Sequence, residues 1–189
     1  DSIDRNGSSL FLDCDIVFLR PLDSLKRKPS ASEKIIELSP HLINARDEAL
    51  FGKFNGGWVA TNDTDVPRLW EEYTKSSRYF DQAALEQFVN TGDHRVEYAP
   101  PQSNFGYWRL FQADNPKKVL SQFSVHGESE KLILYQGHPL QSVHSHLMIP
   151  AWCGTGAKAF NRIIVKMLED CRESYGFLLD TLKERITVD

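Results

Sequence analysis

Hydrophobic residues run almost unbroken through residues 9–19, SLFLDCDIVFL, with Asp13 and Asp15 as the only acids in the run. Such a run reads as a strand buried on both faces, and Pro21 ends it. The basic stretch 26–30, KRKPS, reads as a polar turn. Residues 31–38 have the pattern of a short helix, and 39–53 show no clear period. The segment 54–61, FNGGWVAT, has the aromatic and β-branched content of a strand. Its glycines mark places where a backbone must come close to something. Residues 65–76 predict a helix capped by Asp65, with Pro67 in its first turn and Val66, Leu69, Trp70 and Tyr73 on one face. Another helix is predicted over 80–90, with Ala84, Leu85 and Phe88 inward and Gly92 as its stop.

Farther along, 95–99 predicts a strand ended by Pro100 and Pro101. Residues 131–135 and 141–147 predict two more, joined by a loop with Gly137 and Pro139. One long C-terminal helix follows over 155–187, with Thr155 as its N-cap. Phe160, Ile163, Ile164, Met167, Leu168, Cys171, Tyr175, Leu178, Leu179, Leu182 and Ile186 recur at helical spacing, and Gly176 marks a break or bend. Strands and helices alternate, so the fold class is α/β, a mixed sheet flanked by helices.

Composition narrows the partners. The 189 residues are 41% hydrophobic and 25% charged, an ordinary globular profile that fits a single domain over 1–189. With 22 basic against 26 acidic residues the net charge is −4, which argues against nucleic acid as a partner. No apolar stretch is long enough for a transmembrane segment. Three scattered cysteines, Cys14, Cys153 and Cys171, do not make a disulfide scaffold. They favour a reducing, cytoplasmic setting, and a Golgi or ER lumen stays open for a chain carrying an upstream anchor. A homo-oligomer stays open too.

The chemistry gathers at Asp13-Cys14-Asp15. Within a strand, residues two apart face the same side, so the two carboxylates would share one. An apolar environment makes unpaired carboxylates costly, and two of them suit a hard divalent cation that also holds substrate phosphates. Two enzyme classes use this pattern. A phosphatase of the haloacid dehalogenase type would take Asp13 as its nucleophile. It also needs a later acidic pair, and Gly92-Asp93 is the only G-D here, with no second acid close behind it.

The second class is the nucleotide-sugar-dependent glycosyltransferases of the GT-A fold. LFLDCDIVFLRPLD resembles that family's strand-D-x-D-strand segment. KFNGGWVA over 53–60 resembles its later F-N-x-G strand, DQAAL over 81–85 its D-Q segment, and VHSH over 143–146 its late metal-binding histidine. The set occurs in the family's order and spans roughly residues 9–147. The resemblance implies a GT-A-like fold and a glycosyltransferase moving a hexose from a nucleotide-sugar donor to a saccharide or other hydroxyl acceptor. It implies Mn²⁺ or Mg²⁺ held by Asp13, Asp15 and a histidine. His144 is preferred because it follows the apolar Val143, with His146 kept as the alternative. Asp81 and Gln82 are the implied catalytic pair. Asp13, Asn55, Gly56, Gly57, Trp58 and His138 are the implied donor and acceptor contacts. Residues 1–150 would then carry the metal, donor-sugar and acceptor region. Only twelve residues precede Asp13, so the chain reads as lacking most of the family's N-terminal nucleotide-binding half. A catalytically inactive carbohydrate-binding relative stays open beside the two enzymes. Donor sugar, base, acceptor and stereochemistry are not legible.

Overall fold

The computed structural model of the protein describes residues 7–22, 33–128, 130–149 and 153–186. The expected turn over 26–30 and the first residues of the expected helix over 31–38 lie outside them. In chain order the elements are β1 (Ser9–Leu12), β2 (Ile16–Phe18), β3 (Ile35–Pro40), α1 (Ala45–Phe51), β4 (Phe54–Thr61), α2 (Val66–Thr74), α3 (Glu86–Thr91) and β5 (Arg95–Tyr98). Then come β6 (Phe105–Gly106), α4 (Trp108–Phe111), α5 (Pro116–Leu120), β7 (Phe123–His126), β8 (Leu132–Tyr135), β9 (His138–Pro139), β10 (Ser142–His144), α6 (Thr155–Asp170) and α7 (Arg172–Ile186). Short 3-10 turns sit at Ala83–Leu85 and Pro101–Ser103. The class is mixed α/β, with several sheets and seven α-helices among the described residues, a long C-terminal helix included. No helix among them is long and apolar enough to cross a membrane. The chain divides into two compact units, one reaching Asp13 and resuming over Leu22–Pro100, the other made of Cys14–Pro21 and the chain from Pro101 onward.

The first unit is built on a four-stranded mixed sheet in the order β1-β4-β3-β5. β4 is antiparallel to both neighbours, and β3 and β5 run parallel, with Ile36 opposite Val96. Alternation decides the faces. Ile36 and Leu38 of β3 and Val59 of β4 point to one side, where they bury with Val66, Leu85 and Phe88. Two expectations are corrected here. Residues 35–38 form a strand rather than a helix, because Ile36 and Leu38 repeat at the strand period of two and both are fully buried. Asp65 does not cap α2 with its side chain. Asp63 organises that start: its carbonyl accepts from the Val66 N–H at 3.3 Å and its carboxylate from the Asp65 N–H at 3.1 Å. The expected helix over 80–90 is a 3-10 turn followed by α3, ended by Gly92 at φ 71°, a conformation glycine adopts without strain.

The second unit holds two three-stranded sheets. β10 is antiparallel to β2 and parallel to β6, while β7, β8 and β9 form an antiparallel sheet. The β8–β9 hairpin turns through Gln136 and Gly137, both at positive φ, as a tight two-residue turn requires. The strand expected over 141–147 is confined to Ser142–His144. α6 buries Phe160, Ile164 and Leu168 in a core with Phe105, Ile133, Leu140 and Val143. Gly154, not Thr155, stands at the N-cap. The single helix expected over 155–187 is two. The backbone leaves helical geometry at Cys171 and again at Tyr175, and not at Gly176.

The apolar run 9–19 is likewise two strands. β1 pairs with β4 in the first unit and β2 with β10 in the second. Neither is buried on both faces, since Phe11 is 48% and Phe18 42% exposed. Asp13 and Asp15 therefore lie in the connection, and the strand rule for residues two apart does not orient them.

Candidate functional site

In the second unit, chain pairing carries Asp15 to the histidines. Ile16, the first residue of β2, pairs with His144, the last of β10. The Ser145 N–H extends this ladder by donating to the Asp15 carbonyl at 3.4 Å. The Asp15 carboxylate, mostly buried, meets both imidazoles: Oδ1 lies 2.9 Å from His144 Nε2, and Oδ2 lies 3.1 Å from His146 Nδ1. Burial alone would push the Asp15 carboxyl up. The hydrogen bond from His144 and the charges of both rings outweigh burial and hold it below its ordinary value.

His144 is fixed from every side. Its Nδ1 lies 3.1 Å from Asn104 Oδ1, and an amide oxygen can only accept, so Nδ1 carries a proton and Nε2 is the nitrogen aimed at Asp15. Asn104 is fully buried just before β6, beside β10. The Trp108 ring stands edge-on to the imidazole with centroids 4.8 Å apart. That ring also lies so close over Gly106 that a Cβ there would fall 2.1 Å from it. The expectation that His144 and His146 share a strand face is corrected. β10 ends at His144, and His146 reaches the carboxylate through a turn with its own φ at 38°. Cys153 and Asn161 stand behind this turn, and burial pushes the Cys153 thiol up.

Asp15 and His144 offer donor atoms that could hold a divalent cation. A carboxylate kept ionised and an imidazole whose second nitrogen is tied to an amide oxygen are the groups that Mn²⁺ and Mg²⁺ sites use, imidazole favouring Mn²⁺.

The first unit gathers the other set. Gln82 Oε1 accepts from Asn55 Nδ2 and from the Gly56 N–H, both at 3.3 Å, while Gln82 Nε2 donates to the Phe51 carbonyl at 3.0 Å. Asn55 Oδ1 accepts from the Gly57 N–H at 3.2 Å. The Gly57 carbonyl accepts from the Asp13 N–H at 3.1 Å, which anchors the end of β1. Asp81 is exposed in the turn before Ala83, so it is not a helix N-cap. Its carboxylate oxygens lie 3.6 Å from where a Cβ on Gly56 would sit. Its carbonyl accepts from the Trp70 indole N–H at 2.7 Å. A groove of about 610 Å³ opens between β1, β4 and α2, floored by Val59 and Val66 and flanked by Phe11 and Trp70, with Asp81 at its margin.

Two placements change the reading of single residues. Trp58 is fully buried and its indole N–H donates to Glu37 at 3.1 Å, so its ring is a core element with no face for a sugar. His138 is exposed on β9, in the antiparallel β7-β8-β9 sheet rather than the sheet that carries His144. Asn104, Asn161 and Cys153 were not singled out from the sequence. Isolated polar residues carry no period, and only the paired strands show what they touch. In comparisons with known proteins, no family model, no curated relative and no solved structure matches the chain.

Proposed function

We propose that this chain is the metal, donor-sugar and acceptor part of a GT-A-type glycosyltransferase, moving a hexose from a nucleotide-diphosphate sugar to a hydroxyl acceptor. The observation that carries the reading is the meeting of Asp15 with His144, two residues far apart in the sequence, in one largely buried carboxylate–imidazole pair. The order of the sequence motifs asks for that meeting, and a core acid would more cheaply be an apolar residue. A divalent cation held there supplies charge to offset the leaving diphosphate. Asp15 and His144 would hold it, with His146 beside them. Asp13, two positions before Asp15, enters as the motif's other acid on sequence grounds.

The first unit supports the sugar-handling half of the reading. Gln82 has both ends of its amide engaged, so its work is to hold Asn55 and the β4 backbone in place. Asp81 is different. Among the described residues no side chain pairs with its carboxylate, which leaves it open to accept from an acceptor hydroxyl and to hold that proton as the oxygen attacks.

The test is turnover by protein carrying this chain. A panel of nucleotide-diphosphate hexoses is incubated with Mn²⁺, Mg²⁺ or a chelator, and released nucleoside diphosphate is measured. Release from at least one donor, stopped by chelation and raised by a saccharide acceptor, is expected. Phosphate release from a simple ester without any nucleotide sugar would overturn the reading, as would glycan binding with no turnover of any donor.

A further inference from the structure

We infer that Asn161 is a positioning residue, whose amide sets the Ser145–His146 turn so that the His146 imidazole faces Asp15 beside that of His144. The turn needs an external hold. His146 sits at φ 38°, in the left-handed region that side-chain-bearing residues seldom adopt. Three hydrogen bonds form a chain from one side of it to the other. Ser145 Oγ donates to Asn161 Oδ1. Asn161 Nδ2 donates to Cys153 Sγ at 3.4 Å. Cys153 Sγ donates to the His146 carbonyl at 3.6 Å, an oxygen that also accepts from the Ile149 N–H at 2.9 Å.

Asn161 thus links the residue between the two histidines to the second histidine itself. It stands on α6 next to Phe160, whose burial ties the helix to the core of this unit. An amide is what the place requires. It offers an acceptor to the serine hydroxyl and a donor to the sulfur from one planar group. Aspartate would keep the first bond and lose the second, and leucine would keep the volume and lose both. The two imidazoles then have separate guards: Asn104 fixes His144 through its ring, and Asn161 fixes His146 through its backbone.

The metal half of this inference rests on the proposed function; the positioning half does not. The experiment compares wild type with Asn161→Leu, Ser145→Ala, Cys153→Ala and Cys153→Ser in protein carrying the whole chain. Imidazole ring-nitrogen spectra are recorded without metal, and Mn²⁺ affinity is then titrated. Asn161→Leu is expected to move the His146 ring signals toward free imidazole while those of His144 stay. It is also expected to weaken Mn²⁺ binding roughly 10- to 100-fold, the scale of lost supporting contacts at metal sites. Ser145→Ala removes one bond and should move the same signals less, whereas Cys153→Ala removes two, the one to the His146 carbonyl among them, and should move them about as far. Cys153→Ser keeps a donor and an acceptor and should restore them. A role confined to stability would lower the melting temperature and leave the His146 signals of the folded protein in place, which overturns the inference. If wild type binds no Mn²⁺, the transferase reading falls, and the ring-nitrogen spectra still decide the role of Asn161.

Discussion

The Asn55–Gln82 cluster of the first unit and the Asp15–His144 pair of the second handle buried polarity in opposite ways. In the first, the groups around Asn55 and Gln82 are neutral amides and backbone dipoles, and they satisfy one another. In the second, a carboxylate faces two imidazoles, and the balance is one of charge. A neutral network locks a backbone and asks nothing of solvent or ligand. A carboxylate between two titratable rings can exchange a ring proton for a metal ion with little rearrangement. The difference bears on two proposed roles: Gln82, which the resemblance implies is catalytic, has both ends of its amide engaged within the fold, while Asp15 faces two titratable rings.

Removing Asp15 breaks the comparison at its strongest point. Asp15→Ala should abolish Mn²⁺ binding and all metal-dependent turnover, because the carboxylate that both rings face is gone. Asp15→Asn keeps the shape without the charge and should be nearly as damaging. Calorimetric titration of Mn²⁺ with nucleoside diphosphate present reads both, and wild-type affinity in either variant would end the metal reading.

The hydrophobic cores come next in size. Phe160 of the second unit stacks on Phe105 with ring centroids 5.9 Å apart, inside a large cluster that takes in both C-terminal helices. Phe88 of the first unit packs edge-on to Tyr73 at 5.1 Å and to His94 at 5.4 Å, in a smaller cluster. Phe→Ala at either site should cost about 3–5 kcal/mol in urea unfolding. Phe160→Ala should stand at the upper end, because a rigid surround collapses less into the cavity. Equal or reversed losses would show that the two cores relax alike.

How much of this was legible follows from where periodicity carries through. α2 shows in the sequence because Val66, Leu69, Trp70 and Tyr73 share one face at helical spacing, and β4 because an aromatic and β-branched run is buried along almost its whole length. The C-terminal stripe was read correctly and its backbone was not. Ala157, Phe160, Ile164, Leu168, Cys171, Tyr175, Leu179 and Leu182 are all buried and keep helical spacing across the break, so the pattern hides the non-helical angles at Cys171 and Tyr175. The run 9–19 misled in the same way. Two short strands from two sheets, each half-exposed, add up to one apolar stretch. Asp15 and His144 were legible as a candidate pair from residue type and order. Asn104 and Asn161 were not, since a lone amide gains its meaning only from the strand or helix beside it.

Gln82 offers a smaller test of support against chemistry. Gln82→Ala takes one acceptor from the Asn55 amide and from the Gly56 N–H, both buried, and should cost roughly 1–3 kcal/mol of stability. Gln82→Glu keeps that acceptor but sets an oxygen against the Phe51 carbonyl where Nε2 donated, and should recover only part of the loss. Asp81→Asn breaks no side-chain pairing among the described residues and should leave the unfolding midpoint in place while lowering transfer. A stable Gln82→Ala protein with reduced turnover would return Gln82 to the chemistry.

The smallest effect tests whether both units stabilise their buried acids by the same sign of linkage. Asp63, at the start of α2, receives Lys34 Nζ at 2.9 Å and His94 Nε2 at 2.9 Å. Burial alone would raise its carboxyl. The hydrogen bonds from Lys34, the Asp65 N–H and His94 reverse that and hold it below the ordinary value. A carboxyl lowered by folding contributes stability that is complete above its unfolded value of about 3.9 and is lost as pH falls through the lower folded value. Asp15 is lowered too and has the same sign. The partners differ: Lys34 is 54% exposed at the side chain, whereas His144 is 5% exposed. Salt screens exposed charges far more than buried ones. Asp63→Asn should therefore flatten the acid limb of a stability–pH curve by an amount that shrinks between low and high ionic strength. The flattening from Asp15→Asn should hold nearly constant. Equal salt sensitivity in the two variants would mean that the exposed lysine contributes little, and that the buried His94 contact is what keeps Asp63 ionised.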